Sequence, residues 1–227
     1  MPSLPDSKHA LILSPAKLKH ALRVTAATSQ MPERDVMLLW LTHTTGLRVS
    51  EISQITIADL MFSSGKLRKE IYLRSAITKH CRARTVYLTH EKAIHAVECW
   101  LAYRATRKWE CGSGDEYRGF WPHSTLVLTF KGRAFELTRK RRKLESGVIE
   151  EYRCCDALQQ SMSRLYRKAG IKGSSHSGRR SLANRVLTQT GSIENVQLVL
   201  GHASIDHCWP YLDVDKTVIR RAFEIAL

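Results

Sequence analysis

The sequence predicts a mainly α-helical fold with one small antiparallel β-sheet, an α+β arrangement in which helices dominate. Three observations carry this. Apolar residues recur at helical spacing over most of the chain, in segments bounded by Ser, Pro and Gly. One region only, residues 70–89, changes to short runs of β-branched and aromatic residues. No apolar run approaches the ~20 residues that span a bilayer, and the 227 residues, 43% of them apolar, suffice for a sizeable core.

The elements follow in order. Ser14 and Pro15 form a helix start, with Ser14 as N-cap, and the helix runs to about Ala26. "PERDVMLLWLTHTTG" gives the second helix, with Glu33 and Asp35 in its first turn, Gly46 past its end and a stripe of Val36, Leu39, Trp40 and His43. "VSEISQI" is a short helix capped by Ser50. "KEIYLRSAIT" and "RTVYLT" read as a hairpin, Glu70–Thr78 against Arg84–Thr89. Residues 91–108 are helical and 109–124 are a loop. "TLVLTF" is a short apolar run, and "KGRAFELTRKRRKLESG" is basic and without clear period. Helix returns from Tyr152 to Ala169, stops at Gly170 and Gly173, and continues at 177–190, 193–200, 203–212 and 215–226.

Charge narrows the function. The net charge is +15 and the pI about 9.8, which implies a polyanionic partner. The surplus is clustered. Lys66, Arg68, Lys69, Arg74, Lys79, Arg82 and Arg84 are opposed only by Glu70. Lys131, Arg133, Arg139, Lys140, Arg141, Arg142 and Lys143 are opposed only by Glu136. Either run alone suits a solvated surface; both together favour a surface that tracks DNA. The six cysteines are scattered without a C-x-x-C pair and read as reduced thiols of a cytoplasmic protein. His80 with Cys81, or His207 with Cys208, lacks the spacing of a zinc site, so no metal is expected.

The sharpest signal is "SSHSGRRSLANRVL", residues 174–187, where His176, Arg179 and Arg180 open a helix. A helix start carries free N–H groups and partial positive charge, so adding cations there suits an anion, above all a phosphate. His176 and Arg179 stand at i and i+3. Arg48 lies in a second glycine turn, "TTGLRVSE", ahead of a short helix. Lys79 lies at the hairpin tip, His202 follows Gly201, and Tyr211 comes nine residues later.

This order (Arg, Lys, His-x-x-Arg, Gly-His, Tyr) closely resembles the tyrosine recombinase, or phage integrase, family. The matching pieces are TTGLRVSE at 44–51, TK at 78–79, HSGRR at 176–180, LGHASI at 200–205 and Tyr211. The resemblance implies the catalytic-domain fold of that family and a site-specific recombinase. In it, Tyr211 attacks a DNA phosphodiester to leave a 3′-phosphotyrosine and a free 5′-hydroxyl, without cofactor, ATP or metal. It also implies the roles. Arg48 and Arg179 clamp the non-bridging oxygens, and His202 donates a further hydrogen bond. His176 accepts the tyrosine proton and Lys79 protonates the leaving oxygen. Glu51 pairs locally and orients the Arg48 turn. Lys66, Arg68, Lys69, Arg82, Arg84, Arg139, Lys140, Arg141, Arg142 and Arg180 are the expected DNA contacts. The rival readings are a type IB topoisomerase, with similar chemistry but no synapsis, and a non-catalytic DNA-binding protein on the same fold.

Three departures from the family pattern stand out. Pro210 precedes Tyr211, the stretch 131–151 is long and basic, and only about 30 residues precede the Arg48 segment, so the expectation is a single catalytic domain over 1–227 without the separate N-terminal core-binding domain, either as a naturally short recombinase or as a shortened piece of a longer one. The expected partners are double-stranded DNA, further copies of the chain in a tetramer on paired sites, and accessory DNA-bending proteins, with no membrane. The setting is the cytoplasm of a bacterium or phage-infected cell. The last segment, "DVDKTVIRRAFEIAL", reads as an amphipathic helix that either packs on a neighbouring subunit or closes its own core.

Overall fold

The computed structural model of the chain describes residues 10–78, 82–143, 147, 149–202, 204, 205 and 208; side chains of residues 142, 143 and 150 are not described. Lys79, Tyr211 and the expected helices at 203–212 and 215–226 lie outside these bounds, apart from three residues.

Helix α1 (Pro15–Thr28) begins where expected, with the Ser14 hydroxyl accepting from Lys17 N. Helix α2 (Pro32–Thr44) is the centre of the molecule and packs against α1 and three later helices. The expected single stripe is therefore too narrow: Met37, Leu38, Leu39, Leu41, Thr42 and His43 are all buried, while Val36 and Trp40 are half-buried. Short helices α3 (Val49–Ile52) and α4 (Ile57–Leu60) follow. Arg48, not Ser50, occupies the N-cap of α3, because Glu51 reaches back to the Arg48 N–H and closes the turn there.

The hairpin is β1 (Glu70–Leu73) against β2 (Arg84–Tyr87), in register Glu70 to Tyr87 and Leu73 to Arg84. It is shorter than expected because Ser75–Ile77 coils into a 3₁₀ turn. Helix α5 (Glu91–Thr106) buries Trp100 and Arg104 against the "TLVLTF" run. That run stays out of a ladder because side chains take its carbonyls. Trp100 Nε1 donates to Leu126 O at 2.7 Å, and Arg104 Nη1 to Thr125 O at 2.9 Å.

A second sheet was not expected. Strands β3 (Thr138–Lys143) and β4 (Ile149–Cys154) pair antiparallel, with Arg139 opposite Arg153 and Arg141 opposite Glu151. Its sequence shows no apolar alternation because both faces are largely in solvent, with Arg139, Arg141, Ile149, Glu151 and Arg153 exposed on one and Thr138 and Lys140 on the other. Helix α6 (Asp156–Lys168) consequently starts four residues after Tyr152, the expected start. Helices α7 (Ser177–Thr190) and α8 (Ile193–Leu200) fall where the sequence places them.

Helices α7 and α2 approach closely at Gly178, where an added Cβ would lie 2.7 Å from Thr42 Oγ1 and 2.8 Å from the Thr42 carbonyl carbon. Beside this crossing His43 is buried, with Nε2 3.0 Å from Tyr166 Oη and its carbonyl accepting from Arg185. Burial, aided by the Arg185 charge, pushes the His43 pKa down to about 3, and burial raises that of Tyr166. His43 is thus neutral in the fold but binds a proton below about pH 6.5 when unfolded. Its contribution is complete above that pH and is lost as pH falls toward 3. Urea unfolding is expected to show about 1.4 kcal/mol of extra loss between pH 7.5 and 5.5 in the wild type relative to His43→Gln. An identical loss in both proteins would contradict a neutral buried His43.

Candidate active site

Glu51 is the anchor of the site. It is 1% exposed and holds two arginines. Arg48 Nη1 donates to Oε1 at 2.9 Å and the Arg48 backbone N to Oε2 at 2.7 Å. Arg84 meets the same oxygens as a two-pronged fork, Nη1 at 2.7 Å and Nη2 at 2.6 Å. Burial alone would raise the Glu51 pKa. The Arg84 hydrogen bonds and the charges of Arg84, Arg48 and Arg179 outweigh it and hold the group at about 2. Arg84, expected among the DNA contacts, thus commits its fork to a buried carboxylate.

Arg179 is also inside, 1% exposed. Its Nη1 donates to Gly46 O and its Nη2 to Leu200 O, so one side chain from α7 ties the turn after α2 to the end of α8. That tie brings the Arg48 turn and the His202 turn to one place. His176 differs: it sits exposed at the N-cap of α7, its backbone N donating to Ser174 Oγ at 3.3 Å. Arg180 reaches back to the carbonyl of Ala10 and fastens α7 to the segment ahead of α1.

His202 follows Gly201, which ends α8 in the left-handed region at φ 62°. The His202 Nδ1 lies 3.3 Å from Sγ of Cys208, a fully buried thiol. Burial pushes the Cys208 pKa up, against the opposing charge of Arg179, so the thiol keeps its proton. With the thiol as donor to Nδ1 the imidazole proton sits on Nε2, and with the thiol as acceptor it sits on Nδ1. Cys208 carries no motif, and only its place near the Gly-His turn could have drawn attention to it. A cavity of about 330 Å³ opens beside this turn, lined among others by Arg82, Arg84, Gln197 and His202.

The expected DNA contacts divide by geometry. Lys66, Lys69, Arg82, Arg139, Lys140 and Arg141 are exposed. Arg68 is half-buried, its Cζ 3.9 Å from the centre of the Phe62 ring. Lys140 pairs with Asp156 at 2.8 Å and Arg141 with Glu151 at 2.7 Å, both in solvent. The Arg142 side chain, Lys79 and Tyr211 lie outside the described residues. A polar groove of about 620 Å³ runs between β3 and α6, past Lys140, Arg164 and Arg167 to Ser175, the neighbour of His176. Among the described residues no His, Cys, Asp and Glu group is placed to hold a metal ion, and no helix is long and apolar enough to cross a membrane.

Known proteins resemble this chain in sequence and in fold. The family model described as "Phage integrase family" matches residues 13–217. The chain is 29% identical over 210 residues to y4rF of Sinorhizobium fredii, a protein named for an integrase/recombinase, covering 92% of this chain and 41% of the relative. The XerA recombinase structure superposes with a TM-score of 0.66 at 20% identity, over 99% of this chain and 66% of that one. The XerH recombinase bound to its difH substrate gives 0.63 at 21%, over 96% and 54%. A lambda integrase dimer bound to a core site gives 0.58 at 13%, over 93% and 50%. This chain therefore spans from two-fifths to two-thirds of the length of these relatives, and the structural likenesses establish the fold. With nearly its whole length matched by the family model, the chain belongs to the phage integrase family, the tyrosine recombinases.

Proposed function

We propose that this protein is a site-specific DNA recombinase that cuts and rejoins DNA through a 3′-phosphotyrosine intermediate. The observation that carries the reading is the cluster of Arg48, Arg179 and His202, held together by Glu51 and by two backbone carbonyls. Positive donors fixed in advance stabilise the charge that gathers on non-bridging phosphate oxygens in the transition state, without rearranging as it develops. Arg48 and Arg179 clamp those oxygens, Arg179 with the second hydrogen of each Nη since the first goes to a carbonyl, and His202 donates a further hydrogen bond. The Tyr211 oxygen forms the new bond to phosphorus as the P–O5′ bond breaks and its electron pair leaves with the 5′-oxygen. His176, exposed at its helix start, takes the phenol proton. Lys79 gives a proton to the departing oxygen. The reverse steps rejoin the strand.

Duplex DNA is the proposed partner, lying over the exposed basic residues. The β3–β4 ribbon supports this most directly. Arg139 stands directly opposite Arg153, both exposed, and among the described residues no ion pair holds either one. Like charges facing across a ladder destabilise it unless an anion lies over them. Strand exchange needs paired sites, so the proposal includes a tetramer joined through the C-terminal segment, with accessory DNA-bending proteins where the sites demand them. The chain works wherever bacterial or phage DNA is accessible in the cytoplasm.

Tyr211→Phe is expected to abolish covalent adduct on a nicked suicide substrate while DNA affinity stays within about twofold, since affinity comes from many phosphate contacts. An adduct that survives the change would remove Tyr211 as the nucleophile. Adduct formation and relaxation without strand exchange between two sites would point to a topoisomerase instead. For the ribbon, Arg139→Ala with Arg153→Ala is expected to flatten the slope of log affinity against log salt by about 2, near 0.9 per lost phosphate contact. An unchanged slope would place the DNA elsewhere.

A further inference from the structure

Arg84 opens β2 opposite Leu73 and follows Lys79 by five residues. Its side chain is 10% exposed, and its fork occupies one acceptor position on each oxygen of Glu51. Arg48 occupies the others, with Nη1 on Oε1 and its backbone N on Oε2. A carboxylate offers about four such positions, so Glu51 is filled. Filling matters for Arg48. A carboxylate with open lone pairs draws an arginine into a two-point fork. With Arg84 in place, Glu51 takes only Nη1 of the Arg48 guanidinium, and Nε and Nη2 make no hydrogen bond to a described residue.

The stem of the same side chain has a second contact. A Cβ added at Gly201 would lie 2.3 Å from Arg84 Cδ and 2.9 Å from Nε, so the arginine lies flat on the Gly201 backbone, one residue before His202. Any other residue at Gly201 would displace it.

We propose that Arg84 is a positioning residue for DNA cleavage, setting Arg48 through Glu51 and His202 through Gly201. The inference rests on the DNA-cleavage reading above. Arg84 itself does not touch the phosphate. Its loss hands the Arg48 fork to Glu51, and the scissile phosphate loses one arm of its clamp.

Arg84→Lys keeps the charge and most of the stem but supplies a point charge in place of a fork. The variant and the wild type are assayed for phosphotyrosyl adduct at saturating nicked suicide DNA. The scissile phosphate is either ordinary or a methylphosphonate, in which a methyl group replaces one charged oxygen. Relative to wild type on the same DNA, adduct formation is expected to fall about 100-fold on phosphate, the scale of one lost transition-state donor. It should fall less than about threefold on methylphosphonate, which lacks the ground-state charge and one of the two non-bridging oxygens that the arginine clamp serves. Both rates come from one preparation, so partial unfolding lowers them alike and cancels in their ratio. Equal losses on the two substrates, or no loss on phosphate, would overturn the positioning role. A drop in DNA affinity with a salt slope lowered by about one would make Arg84 a phosphate contact and overturn it as well. Wild-type protein that forms no adduct at all would overturn the DNA-cleavage reading itself. An active wild type with an indifferent Arg84→Lys overturns only the role of Arg84.

Discussion

The buried carboxylate of Glu51 is the interaction on which the site depends. Three guanidiniums, those of Arg48, Arg84 and Arg179, lie near enough for their charges to act on it. Without a counter-ion they would repel one another and splay toward solvent. Breaking a buried, hydrogen-bonded ion pair by removing one partner typically costs about 3–5 kcal/mol, since the charge left behind has no water to turn to. Glu51 therefore does two things at once. It makes a dense positive cluster compatible with a folded interior, and it fixes the direction of each arginine. The excess of positive charge that remains suits a phosphodiester passing through a more negative transition state.

The fold exists around this cluster in a literal sense. Helix α2 supplies the turn that presents Arg48, and α7 crosses it at Gly178, where no side chain would fit. The crossing lets Arg179 reach the carbonyls of Gly46 and Leu200, from the ends of two different helices. Three segments far apart in sequence are thus gathered by hydrogen bonds from charged donors to main-chain acceptors, which are stronger than neutral ones. The small cluster of Ala183, Val196, Leu200 and Cys208 then backs the His202 turn with apolar contacts, and the Cys208 thiol meets the imidazole from that side.

Much of this was legible in the residues. Caps, prolines and glycines located α1, α2, α7 and α8 closely, because local propensity and tertiary packing agree there. The local pairing of Glu51 with Arg48 was also visible. The second hairpin was not, since a ribbon largely exposed on both faces has no apolar alternation to betray it. Arg84 and Arg180 were hidden for a different reason. An arginine that binds a buried carboxylate or a carbonyl has the same letter as one that binds DNA. Only the fold shows that Arg84 faces Glu51 and Arg180 faces Ala10. Cys208 belongs with them: a lone thiol acquires meaning from the imidazole beside it.

The ionisation of Glu51 is the most direct measure of whether the cluster is organised as described. Carbon-13 labelling of glutamate side chains, with the resonance assigned by Glu51→Gln, reports the charge state of this one carboxylate as pH falls. The account predicts that its shift stays flat from neutral pH down to about pH 3, because the arginines hold the pKa near 2. A transition centred near the ordinary value of 4.5 would mean that Arg48 and Arg84 do not grip the carboxylate, and would contradict the account at its centre.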